Sequence, residues 1–233
     1  MKRTTDRTGI FERPTYGLAE AAHYLAIPVT TIRSWLHGRP YPTKTGVHRF
    51  QPLIHLAAGH HLLSFQNLVE FQIVRGLRKA YGIDVSKIRE AIAYAKKTFN
   101  DAHPLLNPQM QTDGVDLFWR WAQIENLNRG GQFAIKEILD AHLKRVSWSK
   151  GIPVRLFPFR RWDETTTEAM PVMIDPAVSF GRPVLIGSGV PTAIIAERFQ
   201  GGETIPELAK DYALSQAQVE EALRRETSLV TAA

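Results

Sequence analysis

A gapless internal repeat constrains this chain more than any other feature. Residues 18–36, LAEAAHYLAIPVTTIRSWL, return as residues 205–223, IPELAKDYALSQAQVEEAL. At that fixed offset Leu18 falls on Ile205, Glu20 on Glu207, Ala22 on Ala209, Leu25 on Tyr212 and Ala26 on Ala213. Ile27 then falls on Leu214, Ile32 on Val219 and Leu36 on Leu223. Apolar residues at helical spacing, interrupted once by a small turn, predict helix, short turn, helix in both copies. That is the pattern that places a second helix in a DNA groove. The copies diverge where such a helix would meet phosphate, with Arg33-Ser34 in the first and Glu220-Glu221 in the second. The expectation is one scaffold in two uses, with only the first copy fitted for DNA.

Charge follows the same division. The 233 residues carry a net charge of +6, yet residues 1–100 hold 15 Lys/Arg against 6 Asp/Glu, and residues 166–233 hold 5 against 9. No acid stands between Glu20 and Glu70. A basic N-terminal half attracts polyanions, and an acidic C-terminal module is repelled by them. The length suits two small domains or one with appendages, and 44% hydrophobic with 22% charged residues suits a globular chain. No apolar run approaches the roughly 20 residues of a membrane-spanning helix. The polar start, MKRTTDRTGIFERP, lacks the apolar core of a signal peptide, so the cytoplasm is the expected compartment. With no cysteine, disulfides, thiolate zinc sites and a cysteine nucleophile are excluded.

Along the chain, residues 1–14 read as a loose basic arm. Helices are predicted over 18–25 and 30–37, with Pro28 suited to a helix start and Gly38 to a helix end. Two short apolar runs, 52–56 and 61–65, read as a hairpin placed like a wing. Ser64 caps a helix to Ala80 with Leu68, Phe71, Val74 and Leu77 on its buried face, and Ser86 opens another with Ile88, Ile92, Ala95 and Phe99. Residues 100–111 read as a linker. A strand over 115–121, a helix over 133–146 and a strand over 154–157 follow, with Trp119, Trp121 and Trp148 as core or subunit-contact residues. After a second linker, DETTTE, two β-like runs (171–175 and 180–187) precede a helix over 191–199 and the second copy. There Thr204 and Glu207 form a capping box. The fold class is α+β, mainly α. It comprises a winged helix-turn-helix over 1–99, a mixed α/β connecting and possible dimerisation segment over 100–165, and an acidic trihelical module with a β-hairpin over 166–233.

The strongest candidate site is Thr30, Thr31, Arg33, Ser34 and Trp35. Hydroxyls bond phosphate or bases, arginine forks onto guanine edges, and a helix N-terminus attracts phosphate. Arg39, Lys44, His48 and Arg49 add basic residues behind them. His55, His60 and His61 raise the possibility of a metal-dependent hydrolase, but no carboxylate adjoins them to complete a set, and no metal is expected. The glycines around Arg182 lack the lysine of a P-loop and read as hairpin turns. No catalytic arrangement stands out, so neither an enzyme nor a cofactor is expected.

Helix, turn, helix, wing and two further helices is the order of a MerR-like winged domain, which the N-terminal part resembles. The run IDPAVSFGRPVLIGSGVPTAIIAERFQGGETIPELAKDYALSQAQVEEAL resembles the small bacterial module catalogued as a domain of unknown function, number 433. That module shows I-D-P, then G-x-P-V-x-x-G, a helix, a double glycine and a degenerate helix-turn-helix. Its usual G-T-R-I stands here as Gly187-Ser188-Gly189-Val190. With Thr112-Asp113-Gly114 and Gly130-Gly131-Gln132 between, residues 15–225 resemble VapB-type antitoxins paired with PIN-like nuclease toxins. The resemblance implies a homodimer that binds the operator DNA of its own operon, represses it, and neutralises a toxin through another surface. PIN-like nucleases hold metal with clustered carboxylates, so Arg182 and Arg198 become the candidate toxin-binding residues. The alternative is a MerR-like regulator whose C-terminal half senses a ligand.

Overall fold

The computed structural model describes residues 8–43, 46–56, 59–81, 85–107, 142–159 and 171–227. They form an α+β, mainly helical structure in which the strands pair into separate two-stranded hairpins. Residues 8–14, expected as part of a loose arm, instead begin with helix α1 (Thr8–Glu12), because Phe11 is buried with its ring 5.9 Å from that of Phe65. One aromatic anchors a segment too short to show periodicity.

Helix α2 (Leu18–Leu25) buries Ala21, Ala22, Tyr24 and Leu25, and α3 (Val29–His37) buries Ile32, Trp35 and Leu36. Between them Ala26 takes a left-handed conformation at φ 50°. The Ile27 N–H returns to the Ala22 carbonyl at 3.1 Å and the Ala26 N–H to that of His23 at 3.2 Å, which closes the helix end.

The hairpin that follows α3 is not the expected one. Strands β1 (Pro40–Thr43) and β2 (Gly46–Arg49) pair antiparallel, with Tyr41 opposite His48. Every residue of β2 is exposed, so it carries no alternating signal to find. Residues 52–56 are irregular instead. Leu53 and Ile54 are both buried, and both donate to the Trp35 carbonyl, at 2.7 and 3.3 Å. A strand would send those neighbours to opposite faces. Leu63, the intended partner strand, bridges to Tyr16. The hairpin is seated by Gly38, at φ 67°, where an added Cβ would meet the Phe50 carbonyl oxygen at 1.8 Å.

Ser64 caps α4 (Phe65–Tyr81): its Oγ accepts the Asn67 N–H at 3.2 Å, and its own N–H donates to Asn67 Oδ1 at 3.0 Å. Leu68, Phe71, Val74 and Leu77 are buried as expected, but so are Val69 and Ile73, because α4 runs through the middle of the core. Helix α5 (Val85–Phe99) adds Ile88, Ile92 and Ala95. The described part of the expected 100–111 linker turns through a 3-10 helix, Pro104–Leu106, whose two leucines are buried. Strands β3 (Val146–Ser149) and β4 (Ile152–Leu156) form a hairpin. Val146, expected at the end of a helix, thus lies in a strand, and Trp148 packs partly buried against the main core. The expected strand over 115–121 (Trp119 and Trp121 with it), most of the expected 133–146 helix and the DETTTE linker lie outside the described residues.

Strands β5 (Val172–Met173) and β6 (Val184–Leu185) pair, and the start of the expected 180–187 run instead belongs to a 3-10 turn, Ser179–Gly181. Helices α6 (Thr192–Gln200), α7 (Ile205–Asp211) and α8 (Gln216–Thr227) follow. Val172, Leu185, Ile195, Leu208, Val219 and Ala222 make a second core. The repeat persists in backbone detail. Helix starts at 18 and 29 match those at 205 and 216. Ala213 is left-handed at φ 52°, like Ala26. The Leu214 N–H bonds the Ala209 carbonyl at 2.8 Å, as Ile27 bonds Ala22. Glu20 accepts from the Gly17 N–H at 3.1 Å, and Glu207 from that of Thr204 at 2.8 Å.

The second copy is also fastened to the first. Buried Arg225 of α8 donates to the Tyr24 carbonyl at 2.6 Å, and buried Arg75 of α4 to that of Leu25 at 2.9 Å. Together they satisfy carbonyls that the end of α2 leaves open. Glu226 meets His23 Nε2 at 2.7 Å and accepts from the Thr192 hydroxyl at 2.5 Å. Burial alone would push the Glu226 carboxyl up, but the bonds from His23 and Thr192 outweigh it and leave it below the ordinary carboxylate range.

Candidate nucleic-acid interface

The candidate residues in the N-terminal half of α3 differ in exposure. Thr30 and Arg33 are exposed, and Thr31 and Ser34 half-buried, while Ile32 faces the core. Pro28 stands at the N-cap position with no side chain bonding back to the first turn. The positive end of the helix dipole and its leading amide groups therefore face outward uncapped.

Thr30, Thr31 and Ser34 open onto a cleft of about 410 Å³ whose other walls include Arg39, Phe50, Arg78, Ser86 and Arg89. Arg39 and Arg89 both lie over the Phe50 ring, at 5.6 and 4.9 Å from its centroid. Phe50 in turn stacks on Tyr41 at 4.0 Å. The Arg89 Nε donates to the Gln51 carbonyl at 2.5 Å, and Arg49 donates to the His37 carbonyl at 3.1 Å. Side chains from α3, the hairpin base and the α4–α5 junction thus meet around one cationic, hydroxyl-lined concavity. Its chemistry suits a phosphodiester chain: fixed cations, hydroxyl donors and a helix N-terminus.

The structure sorts the expected residues. Thr30, Thr31, Ser34 and Arg39 line the cleft. Arg33 is exposed on the same helix, and His48 and Arg49 are exposed on β2. Lys44 lies outside the described residues. Trp35 also borders the cleft, but it is 1% exposed and stacks on Phe71 at 6.0 Å, so most of its ring anchors α3 in the core. Arg78, Ser86 and Arg89 are additions that sequence reading missed. They lie some forty to sixty residues beyond α3, on helices read only for their buried stripes. The signal available was the cationic, off-stripe position of Arg78 and Arg89 near the α4–α5 junction, with Ser86 read only as the opening of its helix. His55, His60 and His61 are exposed around the irregular segment before α4.

In the second copy the same positions are closed. Ser215 replaces Pro28; its Oγ accepts the Gln218 N–H at 3.2 Å, and its own N–H donates to Gln218 Oε1 at 2.9 Å. Glu220 and Glu221 replace Arg33 and Ser34, and both pair with Arg224, at 3.2 and 3.3 Å. Arg198 spends its guanidinium internally, on Glu203, on Asp211 at 2.7 Å and over the Tyr212 ring at 5.1 Å. Arg182 is exposed.

Residues 172–224 match the family described as "Protein of unknown function (DUF433)". A protein of Mycobacterium tuberculosis named "Putative antitoxin VapB45" is 27% identical over 231 residues, covering 91% of this chain and 94% of its own. Another from the same organism, "Uncharacterized protein Rv2308", is 26% identical over 239 residues, covering 96% of this chain and 94% of its own. The crystal structure of Rv2018 from Mycobacterium tuberculosis superposes with a TM-score of 0.65 at 25% identity, across 91% of this chain and 99% of that one. The similarity spans both copies of the repeat and the segment between them. No helix among the described residues is long and apolar enough to cross a membrane.

Proposed function

We propose that this protein is a non-enzymatic antitoxin of a type II toxin–antitoxin system, neutralising a PIN-like nuclease and repressing its own operon. Its first repeat copy serves as a winged helix-turn-helix that binds double-stranded operator DNA. The observation that carries the DNA half is the cleft beside the uncapped start of α3. There Arg33 reaches base edges, while Thr30, Thr31, Ser34, Arg39, Arg78 and Arg89 hold phosphates, with His48 and Arg49 along the hairpin. Phosphate contacts of this kind fix position and make affinity fall steeply with salt. As a homodimer the protein would present two such helices to successive grooves. The toxin half is supported by the name of the relative that aligns along nearly the whole chain. Its contact surface falls to the acidic module, where Arg182 stands exposed and Arg198 is already paired.

The test has two arms. Co-expression with the nuclease encoded beside this gene should restore growth that the nuclease alone stops. The purified chain should also shift its own promoter fragment, with a steep salt dependence. Growth arrest that this protein leaves untouched would overturn the antitoxin reading, and no preference for its own promoter would overturn the autorepressor reading.

A further inference from the structure

Phe180 is 91% exposed, more than any other large apolar side chain among the described residues. It does not dangle from a loose loop. Ser179, Phe180 and Gly181 take φ values of 46°, 57° and 76°, three consecutive left-handed residues. For a phenylalanine that conformation is strained, and such strain persists only where the surroundings over-determine it.

The surroundings do. Asp175, bonded to Arg155 at 2.9 Å, accepts the Ala177 N–H on its side chain and the Val178 N–H on its carbonyl, at 2.9 and 2.8 Å. The Gly181 N–H returns to the Val178 carbonyl at 2.9 Å, and the Arg182 N–H to that of Ser179 at 3.2 Å. The Ser179 hydroxyl bonds the Gly189 carbonyl at 3.2 Å. Beneath the turn, Gly181 sits so close to the Tyr16 hydroxyl that an added Cβ would lie 2.1 Å from it. The turn is therefore held both by its own module and by the N-terminal part of the chain.

We infer that Phe180 is the anchor by which this protein docks a partner protein, an apolar socket rimmed by carboxylates. The inference rests on the antitoxin reading and names the toxin nuclease as the occupant. An aromatic on a pre-set backbone loses little freedom on binding, and aromatic residues with arginines are the side chains that dominate interfaces. Arg182, two residues on and exposed, supplies the positive edge that a carboxylate rim answers.

The experiment uses the full chain, the purified nuclease from the adjacent gene, and the variants Phe180→Gly and Phe180→Asp. Glycine suits the left-handed backbone, so Phe180→Gly keeps the fold and its thermal midpoint stays level or rises. The expected result is nuclease affinity at least about thirtyfold weaker for both variants, with loss of growth rescue and unchanged operator binding. Affinity within threefold of the parent for Phe180→Gly overturns the inference and leaves the antitoxin reading standing. Weakened operator binding at normal nuclease affinity, or a chain that turns monomeric while still inhibiting, assigns Phe180 to DNA or to a second copy and also overturns it. A parent chain that binds no nuclease sinks the antitoxin reading, and this inference with it.

Discussion

The two copies of the repeat share their helix starts and the left-handed turn between them, and differ in which end of the second helix is open. In the first copy α3 begins at Pro28 without a side-chain cap, next to Arg33 and the cationic cleft. In the second, α8 begins with the Ser215–Gln218 box and carries Glu220 and Glu221 where Arg33 and Ser34 stand. Its working end is the far one, where Arg225 and Glu226 reach Tyr24 and His23 of the first copy. A duplicated helix pair has thus kept its turn and its core positions while exchanging an exposed N-terminus for a docked C-terminus. Capping and charge, not the helix pairing, separate the two copies.

The largest difference to break is in the cores. Trp35 and Ala222 occupy the same repeat position and are both buried, but Trp35 alone has an aromatic neighbour to stack on. Trp35→Ala should cost about 3–5 kcal/mol in denaturant unfolding. The reverse change, Ala222→Trp, overfills the smaller second core and should cost about 1–3 kcal/mol. A nearly neutral Trp35→Ala would mean that α3 is held from elsewhere, and the core role assigned to Trp35 would be wrong.

Next in size is the charge contrast. Arg33→Ala should weaken operator binding by about 1–3 kcal/mol and relax preference at one base pair, read by fluorescence anisotropy across a set of single-base variants. Glu220→Ala together with Glu221→Ala should leave that binding unchanged. Equal losses in both variants would show that the two copies read DNA alike.

The repeat made much of this legible without a structure. Both helix pairs, the short turn inside each and the Thr204–Glu207 box were readable because they follow from local sequence, whereas the left-handed backbone of Ala26 and Ala213 was not. The hairpin at 40–49 was hidden because β2 is exposed throughout and its partner contains two prolines. The apolar pair Leu53-Ile54 drew the eye instead, although it buries both neighbours on irregular backbone. Half of the cleft was equally invisible. Arg78 and Arg89 reach it only because α4 and α5 fold back beside α3, and sequence separation conceals that closure. The fastening of α8 onto α2 depends on residues some two hundred positions apart, beyond any local pattern.

That fastening gives the third prediction. Glu226 titrates below the ordinary carboxylate value of 4.5, so its contribution is complete above that pH and is lost as the pH falls through its folded value. Glu226→Gln keeps an acceptor for Thr192 but removes the charge facing His23, and should cost about 1–2 kcal/mol at pH 7. The parent's thermal midpoint should therefore drop more than the variant's between pH 7 and pH values below 4. Parallel curves would show that the carboxylate contributes nothing to holding the copies together.

The smallest effect tests the comparison most closely. Ser215→Ala removes the side-chain cap of α8 and should cost about 1 kcal/mol. It also leaves the second copy's helix with an uncapped start like that of α3, while Glu220 and Glu221 remain. If acid against phosphate is what keeps this helix off DNA, Ser215→Ala binds no more DNA than the parent, even at low salt. Added salt-sensitive binding in Ser215→Ala, absent from the double Glu220→Ala, Glu221→Ala variant, would make the cap the decisive closure. The cap reaches only the helix's leading amides, whereas Glu220 and Glu221 add two charges within two turns of them. Their Coulomb repulsion, screened but present at low salt, is the larger obstacle.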